Sequence, residues 1–289
     1  MLMHATSGGY SLDDGLGSRE VVEEPERERV EVLTVAEPLT GEDAEYAIRT
    51  RITALAGVPT TAVAPVYRFE RRGELLQITA SLPDGARLST ILDQLQAGSI
   101  SLGDEALLQL MARVIRAVAA MHGAPGFIAH GALTPSHIVV TPRDVVLTDA
   151  VFGAALQTLA WNRERMWRTF GVALPPAASE VRFDQRTDVC QIGAVALAIA
   201  LRRPLSADEY PRASAALVTA ATERLTCGSG MRMWLQQALQ LHPRAAFASA
   251  LDAGQAFAEM LAAATGREAA RRMFAVPPLR TGFTAARTP

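Results

Sequence analysis

The sequence predicts an α+β protein in two lobes, a reduced strand-rich one followed by a mainly helical one. Two observations carry this. Alternating, β-branched runs lie between Arg29 and Ala80 and interrupt one helical pattern. From residue 87 to 262, apolar residues recur instead mainly at helical spacing, and Pro83-Asp84-Gly85 marks the change.

Residues 1–28 are rich in Gly, Ser, Asp and Glu, and read as a disordered acidic arm. Residues 29–86 form the small lobe and its hinge. Arg29 to Ala36 (RVEVLTVA) is a strand, and Ala44, Ala47, Ile48, Ile52 and Leu55 mark a helix over 40–56. Ala62 to Phe69 and Leu75 to Ala80 form a hairpin turning at Arg71-Arg72-Gly73. Residues 87–262 form the large lobe. Its long amphipathic helix runs through Leu107, Met111, Val114, Ile115, Val118 and Met121. The short strands Ile138 to Val140 and Val145 to Leu147 follow. Residues 263–289 are a basic tail or linker with prolines and arginines.

Composition excludes several functions. Hydrophobic residues make up 49% and the net charge is -2, so no nucleic-acid partner is expected. All 28 basic residues are arginine. Without lysine there is no Schiff base and no lysine clamp on a nucleotide, and the wide arginine fork does not replace a compact ammonium. Cys190 and Cys227 are too few for a disulfide framework. The longest apolar run, Ile192 to Leu201, is too short to span a bilayer, and the start lacks a signal-peptide pattern. A cytoplasmic protein is expected.

Residues 121–156 read MHGAPGFIAHGALTPSHIVVTPRDVVLTDAVFGAAL. This segment resembles the catalytic centre of bacterial serine/threonine protein kinases, where H-R-D-L-K-P-x-N, a hairpin and D-F-G follow a helix. His130, Leu133 and Pro135 keep the first motif's frame, and Asp149 keeps the first position of the second. Leu174-Pro175-Pro176 resembles the end of an activation segment. Asp188 to Gly193 resembles the start of the large lobe's buried helix, and His242-Pro243-Arg244 the start of the last one.

The resemblance implies a degenerate member, a pseudokinase. Ala132 stands where the base belongs, Thr134 where the lysine belongs, and His137 where a magnesium-binding asparagine belongs. Asp149 is left as a vestigial cofactor residue able to hold magnesium, followed by Val151 where the glycine belongs. The small lobe offers Leu33 or Thr34 for the phosphate-binding lysine, and Arg49 or Arg51 for its glutamate partner. A second family ion pair aligns with Ala177 and Ala246. His130, Asp188 and Gly193 carry structural roles, Asp188 by capping its helix and holding the catalytic loop.

Three functions stay open. The first is a regulatory or scaffolding module that is not an enzyme, needs no cofactor, and binds a protein such as an active kinase or a signalling or secretion component. The second is a switch that holds ATP and magnesium at Asp149 without turnover. The third is a phosphotransferase or nucleotidyl transferase of altered chemistry, using a new base such as His137 or Glu180. Trp161, Trp167 and Phe170 mark a partner surface if exposed, and lock the activation segment if buried.

Overall fold

The computed structural model describes residues 9–270 except 13, 25–26, 127, 177–181, 224, 226 and 267–269. The tail's residues 271–289, Glu180 and Ala177 therefore lie outside the described residues.

The small lobe is an antiparallel sheet in the order β1-β2-β3-β5-β4. Its strands are β1 (Gly9–Ser11), β2 (Gly17–Glu24), β3 (Arg27–Val35), β4 (Val66–Arg72) and β5 (Leu75–Ser81). Helix α1 (Glu42–Leu55) lies between β3 and β4, with Glu42, Asp43 and Glu45 in its first turn to complement the helix dipole. Its inward residues, Ala44 and Ile48, are buried.

The first correction concerns the acidic arm. Residues 9–11 and 17–24 are strands, and β2 pairs with β3 from Gly17 opposite Val35 to Val22 opposite Val30. Hydrophobic alternation fails in β2 because Arg19, on its inward face, is buried by ion pairing and not by apolar contact. The hairpin between β4 and β5 turns at Gly73 and Glu74. Ala62 to Ala64 do not join it. Their backbone instead brackets Leu147 of the large lobe through Leu147 N to Ala62 O and Ala64 N to Leu147 O, both 2.8 Å. Pro65 follows directly, and the separate strand β4 begins at Val66.

The large lobe contains a second, three-stranded sheet of β6 (Ala86–Arg87), β7 (Ile138–Val140) and β8 (Val145–Leu147). Its helices are α2 (Leu88–Gln96), α3 (Asp104–His122), α4 (Phe152–Thr158), α5 (Arg163–Phe170), α6 (Gln185–Leu201), α7 (Ser214–Thr222), α8 (Gly228–Ala238) and α9 (Ala250–Thr265). Helix α6 is buried on nearly every side, which explains its unbroken apolar run. At Gly193 a Cβ would come within 2.9 Å of Leu239 N, so glycine lets α6 approach the end of α8. Among the described residues no helix is long and apolar enough to cross a membrane.

Two apolar cores result. One fills the large lobe around α3, α6 and α9. The other joins the lobes, with Leu33, Ile48 and Leu76 meeting Phe152, Phe170 and Leu174.

Candidate functional site

The loop that carries His130 to His137 is held from below by α6. Asp188 accepts hydrogen bonds from His130 N at 2.6 Å and Gly131 N at 2.7 Å, and from His122 Nε2 at 2.8 Å. One helical turn on, Gln191 accepts from Leu133 N and donates to Gly131 O. Asp188 does not cap α6 as the sequence suggested. Asp184 does, accepting from Thr187 N at 3.0 Å, which leaves Asp188 in the first turn and aimed at the loop.

His130 is fully buried, and its Nδ1 accepts from Ala132 N while Nε2 faces Thr148 O at 3.0 Å. That pattern requires the neutral ring. Burial moves its pKa down to about 4. The unfolded chain therefore binds the proton first, and stability falls as the pH drops from about 6.5 towards 4.

Between the lobes lies a cluster of charges. Arg19 on β2 has a wholly buried side chain and reaches Asp14 at 2.7 Å, Glu31 of β3 at 2.5 Å and Asp149 at 3.2 Å. Arg87 at the start of the large lobe pairs with the other oxygen of Glu31 at 2.5 Å and approaches Asp149 at 4.0 Å. It also donates to Ser136 O and Thr148 Oγ1, which ties the hinge to the loop. Tyr10 donates to Glu31. Burial first, and then the Glu31 charge, push its hydroxyl up to about 12.

His137 closes the cluster. Its Nδ1 faces Ala132 O at 2.5 Å and its Nε2 faces the Asp14 carboxylate at 3.2 Å. Both partners are acceptors, so both bonds are made only with hydrogen on both nitrogens. Arg19 and Arg87, joined by His137 when its ring carries both hydrogens, face Asp14, Glu31 and Asp149. Burial alone would raise the carboxyls of Asp149 and Asp14. Arg19, His137 and Arg87 outweigh it at Asp149, and His137 and Arg19 do so at Asp14, so both sit below the usual carboxylate range.

That depression has a sign. A carboxyl lowered in the folded state contributes stability above about pH 4, the unfolded value, and loses it as the pH falls through the folded value. Together with His130 it predicts a two-stage acid limb in thermal unfolding, beginning below about pH 6.5 and steepening below about pH 4. Asp14→Asn should flatten the second stage only; an unchanged limb would contradict the assignment.

The sequence-predicted residues divide sharply. His137 and Asp149 enter the cluster; Ala132 and Thr134 are buried beside it. Leu33 is in the interlobe apolar core, whereas Thr34 accepts from Gln77 Nε2. Arg49 lies outside, pairing with Glu45 and stacking on Phe69. Arg51 is partly buried, and burial lowers its pKa. The polar residue facing the cleft from β3 is Glu31, two positions before Leu33 and on the same face. The left-handed backbone falls on Asp149, with φ 62°, whereas Val151 has φ -74° and leads directly into α4. Val151 is therefore unstrained.

Beyond α4, Phe170 is buried and stacks on Trp161 with centroids 5.6 Å apart, while Trp167 packs on Tyr210 at 4.4 Å. The segment is held against the body. From above, the turn between β1 and β2 descends onto it. Leu16 is fully buried in the same apolar cluster as Ala132, Phe170 and Val172. At Gly15 (φ 66°) a Cβ would collide with Thr169 O, so only glycine allows this approach.

No family model matches the sequence, nor does any curated protein. Solved structures do resemble it. The kinase domain of Mycobacterium tuberculosis PknI is 17% identical, with 85% of this chain and 91% of that chain covered and a TM-score of 0.62. The kinase domain of maize SIRK1 (sucrose-induced receptor kinase 1), bound to AMP-PNP, is 15% identical, with 90% and 93% covered and a TM-score of 0.64.

The fold is protein-kinase-like. Its sheet-based N-lobe comprises β1 to β5 with α1, and its helical C-lobe follows the hinge. This likeness overturns one expectation, that the chain is not an enzyme. A fold shared with kinase domains, one of them holding a nucleotide analogue, conflicts with that exclusion. Ala132, Thr134 and His137 do not restore it. Of the residues present, Asp149 has the chemistry to hold magnesium, but both its oxygens are already engaged, by Arg19 and by Thr148.

Proposed function

We propose that this chain is a regulatory protein-interaction module of a signalling system, built on a protein-kinase-like fold whose interlobe cleft is filled by its own side chains. The observation that carries the reading is Arg19. A fully buried guanidinium bound to Asp14, Glu31 and Asp149 occupies the space between the lobes and takes up the one carboxylate suited to magnesium. Leu16 is fully buried in the apolar cluster that also holds Ala132. A cleft so filled favours signalling by contact, and a partner such as an active kinase or another signalling protein fits that role.

Thermal unfolding with and without ATP, ADP and Mg²⁺ tests it. No shift is expected at millimolar nucleotide, whereas a ligand at ~100 times its dissociation constant would add ~2.7 kcal/mol. A metal-dependent rise that disappears in Asp149→Ala would replace this reading with a nucleotide-binding switch. Label transfer from γ-labelled ATP, lost in His137→Ala, would replace it with altered transfer chemistry.

A further inference from the structure

The turn between β1 and β2 touches more of the molecule than a connection of its length requires. Asp14 binds Arg19 and His137, and its other oxygen accepts from Leu16 N at 3.0 Å, which fixes the turn's shape. Leu16 enters the apolar cluster that also contains Phe152, Phe170 and Val172. Gly15 lies on the backbone of Thr169, at the end of α5. The contacts therefore reach the loop of His137, the start of α4 and the end of α5 at once.

On its own side the turn is carried by an edge hairpin. Among the described residues, β1 lies at the edge of the sheet and pairs with β2 alone. A hairpin at a sheet edge belongs to the low-stability end of a fold, where opening precedes global unfolding. Beyond its ladder, it is held by Asp14 and Leu16, by the Tyr10 hydroxyl on Glu31, and by Ala36 N, which donates to Leu16 O at 2.8 Å.

We propose that Asp14, Gly15 and Leu16 form a displaceable plug, an autoinhibitory contact that couples closure of the interlobe cleft to the seating of α5. The proposal rests on the reading of the cleft as self-filled. With the plug seated, Leu16 supports Phe170 and α5 stays on the body. With it lifted, Asp14 leaves His137 and Arg19, the cleft opens, and α5 loses its cover. Coupling of this kind is reciprocal, so loosening α5 lifts the plug.

Hydrogen–deuterium exchange on the full chain decides it. Leu16→Ala should raise exchange about tenfold in peptides covering both 9–24 and 163–174, with α3 and α6 unchanged. Trp161→Ala, which weakens α5 through the stack on Phe170, should raise exchange in 9–24. A rise confined to the mutated side in both variants would overturn the coupling and leave the turn as local packing. If Leu16→Ala loosens the whole chain, Leu16→Val is read in the same peptides by the same criterion. Coupled exchange together with a nucleotide-dependent thermal shift would retain the plug and overturn the self-filled reading, so the two fail separately.

Discussion

Arg19→Met should cost ~3–5 kcal/mol in urea unfolding, although the new side chain is apolar and of similar length. The loss comes from what remains. Asp14, Glu31 and Asp149 converge on one guanidinium, and its removal leaves three carboxylates facing Arg87 and the His137 ring. Replacing the group together avoids the stranded charge, so Arg19→Met combined with Asp14→Asn and Asp149→Asn should recover much of the loss. The non-additivity is the diagnostic. A single-variant cost below ~1 kcal/mol would mean that water reaches the cluster and screens it.

Asp188→Ala should be as damaging for a different reason. It strands His130 N, Gly131 N and His122 Nε2, all buried, and an unsatisfied buried donor costs ~1–3 kcal/mol. His122 also accepts from Ala250 N through Nδ1, so the loss would spread to the start of α9. Asp188→Asn keeps an oxygen acceptor and should lie between wild type and Ala in thermal unfolding. Equal losses for Asn and Ala would show that the carboxylate's charge matters and its geometry does not.

The fold was legible where apolar spacing carries it. The helical lobe, the short strands Ile138–Val140 and Val145–Leu147, and α1 follow the usual periodicities. The first two strands did not. β2 reads GSREVVEE, and its buried inward residue is an arginine, so the pattern resembled solvated chain. One available signal was Gly15-Leu16-Gly17 ahead of a β-branched pair, a hairpin cue close to a strand-length run. Another was Glu31, a charge in the middle of Val-Glu-Val-Leu on the parity of Leu33 and Val35, which demands a partner.

At the site, His137 and Asp149 were found because they belong to a recognisable local motif. Asp14, Arg19 and Glu31 were missed because they meet only once β2 pairs with β3, and Arg87 because it joins them only when the lobes come together. His137 was read from its motif position alone, and its meeting with Asp14 spans 123 positions. Nothing local to either residue announces that contact.

The mutual dependence of these six side chains also constrains how the sequence can drift. Surface pairs such as Arg72 with Glu70 are exchangeable, since losing one partner releases the other to water. Within the cleft, each single replacement passes through an intermediate with an uncompensated buried charge. Descendants of this chain should therefore keep the whole set or exchange several members together, so that the cluster is inherited as a unit. Variation at Asp14 without a change at Arg19 or His137 would be rare among functional sequences, and a deep mutational scan scored for folding would reveal that linkage directly.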